Sequence, residues 1–194
     1  MKTFNYKKSI QSLNLFSILE GDKINYTKAV KLIWLADRFF LRNHGRTITG
    51  DEYFALKNGP LASCTLDLIK NNIHSEEERE YRDEFISKKK YLICSNKHYD
   101  YKVFSKKELE ILKKVYNAFS YMNWYQLSEF SHNFPEWKEY ESKLKENQNT
   151  SYKIDMDLFF GNVNEFSGLF INSEEEIKEI KEYHNQFYSH YTFA

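Results

Sequence analysis

Three aspartates, Asp37, Asp51 and Asp67, could support metal or acid–base chemistry, because they lie around a glycine-containing segment at residues 45–50. No second carboxylate stands three or four residues from Asp37, where it would share a helix face. The chain also has no HExxH, GxSxG or glycine-rich phosphate-binding motif. The sequence therefore predicts no enzymatic activity, no metal and no cofactor. An enzyme that uses an Asp37/Arg46/Asp51 cluster stays open as an alternative.

Asp37 falls at the edge of an apolar helical pattern, where a carboxylate is costly unless it is paired or hydrogen-bonded. The nearest partners in sequence are Arg46 and the backbone amides of 47–50. Gly45 and Gly50 allow backbone angles that would let this loop turn back on the helix. We expect a polar clasp made of Asp37, Arg38, Arg46 and Asp51. Such a clasp shapes the fold, and in a second interpretation it also displays a surface for a partner.

Helical periodicity predicts the elements that position these residues. A helix over 9–20 precedes a central helix over about 25–43, which is apolar around most of its circumference. Further helices are predicted to begin near Ser63, Ser105, Asn123, Pro135 and Ser173. Strands are predicted within 50–57, 84–94 and 99–104. The predicted fold is mainly α (α+β), with about six or seven helices and a small antiparallel sheet.

A polar stretch at 145–153 predicts a linker. It would divide the chain into a domain over 1–144 and a C-terminal helical extension over 145–194, which packs on the domain or on a partner. The last helix is marked by Ile177, Ile180, Phe187 and Tyr191. As an amphipathic helix after a linker, it could dock in a partner's groove.

Composition excludes several classes of protein. Aromatic residues make up 18% of the 194 residues, so the chain has ample apolar area to bury and is not disordered. The two cysteines, Cys64 and Cys94, form no disulfide framework and favour a reducing cytoplasm. No apolar run is long enough to span a membrane. The net charge is zero, with an excess of +5 over residues 1–60 and of −5 over 105–194, so a nucleic-acid partner is not expected.

One segment carries a family resemblance. It contains Leu35-Ala36-Asp37-Arg38, then Gly45-Arg46-Thr47-Ile48-Thr49-Gly50-Asp51, then Tyr53 and Gly59-Pro60. This order resembles the Panacea domain, the family of the SocA-type antitoxins and of phage-encoded proteins of the GepA type. Thr47 stands where the family usually has proline. The region 105–138 also fits, and the resemblance covers roughly residues 7–144.

The resemblance implies an antitoxin that neutralises a co-encoded toxin by binding and masking it in the cytoplasm, without turnover. It does not name the toxin, and it leaves association with a second copy of the chain open. The candidate clasp or partner-binding residues are Asp37, Arg38, Arg46, Thr49, Asp51, Tyr53 and Lys57.

Two further alternatives accompany this interpretation. A related type of antitoxin is a proteolytic adaptor that delivers its toxin to an ATP-dependent protease, for which residues 145–194 are the candidate contact. Many antitoxins also bind their own DNA, but no helix-turn-helix pattern is evident and the neutral charge argues against high affinity.

Overall fold

The computed structural model describes residues 4–73, 75–147 and 150–189. Within these ranges the helices are α1 (Tyr6–Leu19), α2 (Tyr26–His44), α3 (Ser63–Lys70), α4 (Glu76–Phe85), α5 (Lys106–Phe119), α6 (Trp124–Ser131), α7 (Pro135–Lys138), α8 (Glu141–Glu146) and α9 (Glu174–Ser189). The strands are β1 (Lys23–Asn25), β2 (Tyr53–Leu56), β3 (Gly59–Ala62), β4 (Ile86–Lys89), β5 (Leu92–Ser95) and β6 (Tyr152–Lys153). The prediction of a mainly α (α+β) fold is confirmed.

Helix α2 is the centre of the fold, as its apolar circumference predicts. The Asn25 side chain caps its start by accepting from the amides of Thr27 and Lys28. Its end is set by Gly45, which has a φ of 68° and so takes the left-handed conformation that favours glycine. Helices α1 and α5 pack against α2, and nearly all of its residues are buried. The predicted range of 25–43 was within one residue at each end.

The strands form two antiparallel sheets rather than the single small sheet that was expected. One has the order β1-β5-β4 and the other β3-β2-β6. Strand β2 pairs with β3, with Leu56 opposite Gly59, because Lys57-Asn58 forms a two-residue hairpin loop. The strand predicted within 99–104 was wrong. Asp100 accepts from the Lys102 amide and caps a short 3₁₀ turn over Tyr101–Val103 instead.

Two helical regions differ from the prediction and raise the number of helices in the described ranges to nine. The charged stretch that begins at Ser75 continues as α4, because Tyr81 and the buried Phe85 give it an apolar edge against the core. The helix predicted from Pro135 is divided into α7 and α8, which meet at Tyr140.

Residues after 144 are joined to the rest of the fold. The predicted linker contains β6, whose Tyr152 lies opposite Ala55 of β2. A 3₁₀ turn over Met156–Phe160 follows. Phe159 and Phe170 are fully buried and belong to the same hydrophobic core as Ile10 of α1.

Helix α9 closes the described chain. Its Ile177 and Ile180 pack against the core. The Phe187 side chain and Tyr191, which were also expected to mark this helix, lie outside the described part.

Candidate functional site

Asp37 lies midway along α2, where its buried carboxylate holds the following loop. Its Oδ1 accepts from the backbone amides of Ile48, at 2.6 Å, and Thr49, at 3.0 Å. Its Oδ2 accepts from the hydroxyl of Tyr53, at 2.6 Å, and from the Thr49 hydroxyl. These four donors come from the loop and from the first residue of β2, so one side chain fixes how the chain leaves the central helix.

The Asp37 contacts leave this carboxylate little capacity for other chemistry. A carboxylate offers about four acceptor positions, and four donors occupy them here. Burial raises the pKa of Asp37, while the hydrogen bonds from Thr49, Tyr53 and Ile48 act in the opposite direction. The arrangement is that of a buried anchor rather than that of an exposed base or metal ligand.

Arg46 does not contact Asp37, although it was the expected partner. Its Nη1 donates to Glu108 Oε1 at 2.8 Å, and Lys8 donates to the same oxygen at 2.6 Å. The other oxygen of Glu108 accepts from the Ser105 amide at 2.8 Å, which completes the capping box of α5. Burial opposes ionisation of Glu108, but the bonds from Lys8, Ser105 and Arg46 prevail and its pKa is lowered. Arg46 thus links the loop to α1 and α5.

Asp51 forms a separate site at the start of α3. Its two oxygens accept from the amides of Cys64, at 2.8 Å, and Thr65, at 2.9 Å, and from the Thr65 hydroxyl at 2.6 Å. The N-cap position is occupied by Ala62, which has no capping side chain, so Asp51, 13 residues before Cys64, supplies that cap. Burial raises the pKa of Asp51 to about 6.

Arg38 points away from the Asp37 contacts and binds the C-terminal part of the chain. Its Nε donates to Glu136 at 2.8 Å, and its Nη2 donates to the Gly161 carbonyl at 2.6 Å. The guanidinium lies between two rings, with its central carbon 4.9 Å from the centroid of Phe134 and 5.0 Å from that of Phe170. The residues of the expected single clasp therefore lie in four distinct sites. Three are centred on Asp37, Glu108 and Asp51, and Arg38 belongs to the fourth.

Arg42 is a buried anchor that the sequence analysis missed. One helical turn after Arg38, it donates to the carbonyls of Phe159, Phe160, Gly161 and Phe170 and to the side chains of Asn162 and Asn172. The sequence does indicate such a site, because two arginines four residues apart on a largely apolar helix require buried hydrogen-bond acceptors. Their partners lie more than 90 residues away in sequence, where no local pattern indicates them.

Lys57 also lies apart from the Asp37 contacts. It is exposed on the β2–β3 hairpin loop and lines a half-open cavity of about 450 Å³. The cavity lies between the first turns of α2, the hairpin, α3 and residues 150–151. Its apolar wall is made of Tyr26, Val30, Leu56, Leu61 and Leu66. A second lysine, Lys31, completes it, and no carboxylate is found among the lining residues that the structure describes. We call this cavity the Lys31 pocket.

Four aromatic side chains that are open to solvent lie near the junction of α5 and α6. Their exposed fractions are 66% for Tyr121, 44% for Trp124, 57% for Tyr125 and 57% for Phe166. The Tyr121 and Phe166 rings meet edge to face at 5.6 Å, and so do Trp124 and Tyr125 at 5.9 Å. Phe166 also packs on Phe119, which is buried. We call these four residues the aromatic surface; sequence periodicity places Trp124 on a helix face but does not show that it is exposed.

Comparison with known proteins identifies the family. Residues 30–138 match a family described as antitoxin SocA-like, Panacea domain, and this range contains all seven candidate residues, from Asp37 to Lys57. No curated protein and no solved structure matches the chain significantly.

Two further features are absent from the described ranges. None of the helices there is long and apolar enough to cross a bilayer, and no three His, Cys, Asp or Glu side chains converge as metal ligands. The family match spans more than half of the sequence and covers the loop that follows Asp37. The chain therefore belongs to the SocA-like antitoxin family, which is defined by the Panacea domain.

Proposed function

We propose that this protein is the antitoxin of a bacterial or phage toxin–antitoxin system and that it neutralises a co-encoded toxin by binding it directly, without turnover. Membership of the SocA-like family supports an antitoxin role. The observation that carries direct binding is the aromatic surface. The two free cysteines, Cys64 and Cys94, fit a cytoplasmic location.

The aromatic surface has the properties of a protein-binding site. Tyrosine and tryptophan are enriched among the residues that dominate protein–protein affinity, because they bury a large area at a small cost in side-chain entropy. Here Tyr121, Trp124 and Tyr125 lie within residues 121–125, and Phe166 packs beside Tyr121. Packing of Phe166 on Phe119 and Phe130 fixes one side of this surface before a partner arrives. Such an arrangement lowers the entropic cost of association.

The buried polar sites act as a framework in this proposal. The carboxylates of Asp37, Asp51 and Glu108 take their hydrogen bonds from inside the protein. They are therefore poorly placed to contact a toxin, and the exposed side chains take that role. We propose that Asp37, Arg38, Arg46, Thr49, Asp51 and Tyr53 stabilise the scaffold on which the aromatic surface is displayed.

A neutralisation assay tests this function. The chain is co-expressed with the product of the adjacent small reading frame, and cell survival and co-purification are measured. We expect the wild type to restore growth and to co-purify with the toxin. A Trp124→Ser/Tyr125→Ser double variant should weaken binding at least about thirtyfold, because truncating a central aromatic costs about 2 kcal/mol or more.

The matched control is Tyr101→Ser, which removes an aromatic side chain that is 59% exposed at a different place in the fold. It should neutralise like the wild type, and both variants should keep the wild-type melting temperature. Equal neutralisation by the double variant would refute the aromatic surface as the docking site. Failure of the wild type to bind any adjacent product would refute the antitoxin role. Toxin that disappears only when an ATP-dependent protease is present would show delivery instead of masking.

A further inference from the structure

Lys31 is a buried amine that pairs with no carboxylate among the described residues. It lies in the second turn of α2 and is 2% exposed. Its Nζ donates to Ser131 Oγ at 3.1 Å and to the Pro60 carbonyl at 3.3 Å. No described carboxylate pairs with it, whereas Lys28, three residues earlier, pairs with Glu20 at 2.5 Å. Buried charges in proteins are nearly always paired, so burial favours the neutral amine here and an anion beside it would favour the ammonium.

The described lining of the Lys31 pocket supplies no negative charge to this amine. Lys57 lines the same cavity, and none of its described lining residues carries a carboxylate. Burial lowers the pKa of the neighbouring His132, Glu129 acts in the opposite direction, and Lys31 lowers it further. Burial lowers the pKa of Lys31 to about 7, which is the expected response of an amine that has no anion beside it. An anion that entered this cavity would therefore gain a charge partner from which water is already excluded.

Gly59 brings the hairpin against this amine. Its φ is +97°, and a Cβ added there would lie 2.6 Å from Lys31 Nζ and 2.0 Å from Ser131 Oγ. Any side chain at this position would cover the amine or displace it. Gly59 also lines the Lys31 pocket. The absence of a side chain at this position thus leaves the cavity wall thin beside the ammonium.

We propose that the Lys31 pocket binds the carboxy-terminal residue of a protein chain, with Lys31 pairing with its free carboxylate and the apolar wall holding its last side chain. Lys31 selects an anion, and Val30, Leu56 and Leu61 select an apolar group attached to it. This inference rests on the proposed function only in taking the ligand from a protein chain.

The shape of the cavity fits a chain terminus. A volume of about 450 Å³ lies within the usual range for ligand sites. The cavity is half open, so a ligand could insert its end and leave the remaining chain outside. The hydroxyls of Thr27, Thr150 and Ser151 line it and can bond the last peptide groups.

Calorimetric titration of the full chain with the peptide acetyl-Ala-Ala-Leu tests the proposal. We expect the free acid to bind at least about tenfold more tightly than its carboxy-terminal amide, since hydrogen bonds to charged groups are worth about this much. Equal binding of acid and amide, or no binding of either at millimolar concentration, would overturn the proposal. This comparison uses the wild type alone, so it holds even if a variant fails to fold.

A Lys31→Met variant provides the second arm. Methionine has a similar shape and no charge, so the melting temperature should be unchanged or higher. Binding of the free acid should fall at least about tenfold, to the level of the amide. Binding within twofold of the wild type would contradict a role for the amine. Hexanoate that binds as tightly as the peptide would show a site for small carboxylic acids instead. No toxin is present in these titrations, so this inference and the proposed function can fail independently.

Discussion

Replacing Asp37 by alanine should remove a substantial part of the stability of this protein. The substitution leaves the amides of Ile48 and Thr49 without their acceptor. The buried hydroxyls of Thr49 and Tyr53 lose theirs as well. A buried donor left unsatisfied costs about 1–3 kcal/mol, and hydroxyls can turn to other acceptors more easily than amides can. The two amides alone therefore predict a loss of about 2–6 kcal/mol, against a total of about 5–15 kcal/mol for an ordinary domain.

The conservative variant Asp37→Asn separates the loss of the acceptor from the loss of the charge. Its remaining oxygen can accept from both amides, while its NH₂ group meets the hydroxyls of Thr49 and Tyr53, which must then act as acceptors. We expect a smaller loss of about 1–2 kcal/mol. Asp157→Ala is the matched control, because Asp157 is exposed and its pair with Lys181 at 3.3 Å is worth little.

Urea unfolding followed by circular dichroism gives the free energy of unfolding for the three variants. An unchanged slope with urea concentration shows that the native and unfolded states are comparable. The expected order of stability is Asp157→Ala, then Asp37→Asn, then Asp37→Ala. A loss below about 1 kcal/mol for Asp37→Ala would refute the claim that this carboxylate holds the loop.

Three further predictions concern the other buried groups. Arg42→Met should lower the free energy of unfolding by about 3 kcal/mol, because the buried carbonyls of 159–161 lose their hydrogen-bond donor. Urea unfolding measures this loss, and wild-type stability would contradict the prediction. Truncation after Glu146 should leave no cooperative thermal transition, because Arg42 loses every partner described above and Arg38 loses the Gly161 carbonyl; an intact transition would instead support a domain that ends near residue 144. For Lys31, the pKa of about 7 in the folded chain is below the ordinary value of about 10.4, so between these values the unfolded chain binds more protons. Stability should therefore rise from pH 7 to pH 9, by up to about 1.4 kcal/mol per pH unit, relative to Lys31→Met; parallel pH profiles would contradict this.

Local patterns in the sequence predict the parts of this fold whose partners are near in the chain. The apolar circumference of α2 indicates its central place, and Ser105 with Glu108 predicts the start of α5. The contact between Asp37 and the amides of 48–49 spans only 11 and 12 residues, and two glycines mark the loop that makes it.

Contacts between distant segments could not be predicted in this way. Glu108 is already visible as a capping residue, but nothing in the sequence shows that Arg46 reaches it across 62 residues. Arg38 and Arg42 bind a segment more than 115 residues away, within the predicted C-terminal extension, and no local pattern indicates this contact. The Lys31 pocket is built from three distant parts of the chain. Periodicity reports which face of an element is buried, but it does not report which element covers that face.

Titration of toxin activity with the purified chain tests direct neutralisation most closely. Increasing amounts of the protein are added to a fixed amount of the toxin encoded beside it, and the remaining toxic activity is measured. Binding without turnover predicts a linear decrease that ends at a fixed, near-stoichiometric ratio and that is reversed when the toxin is recovered from the complex. Complete and lasting inactivation by a small fraction of one equivalent would reveal turnover and contradict it.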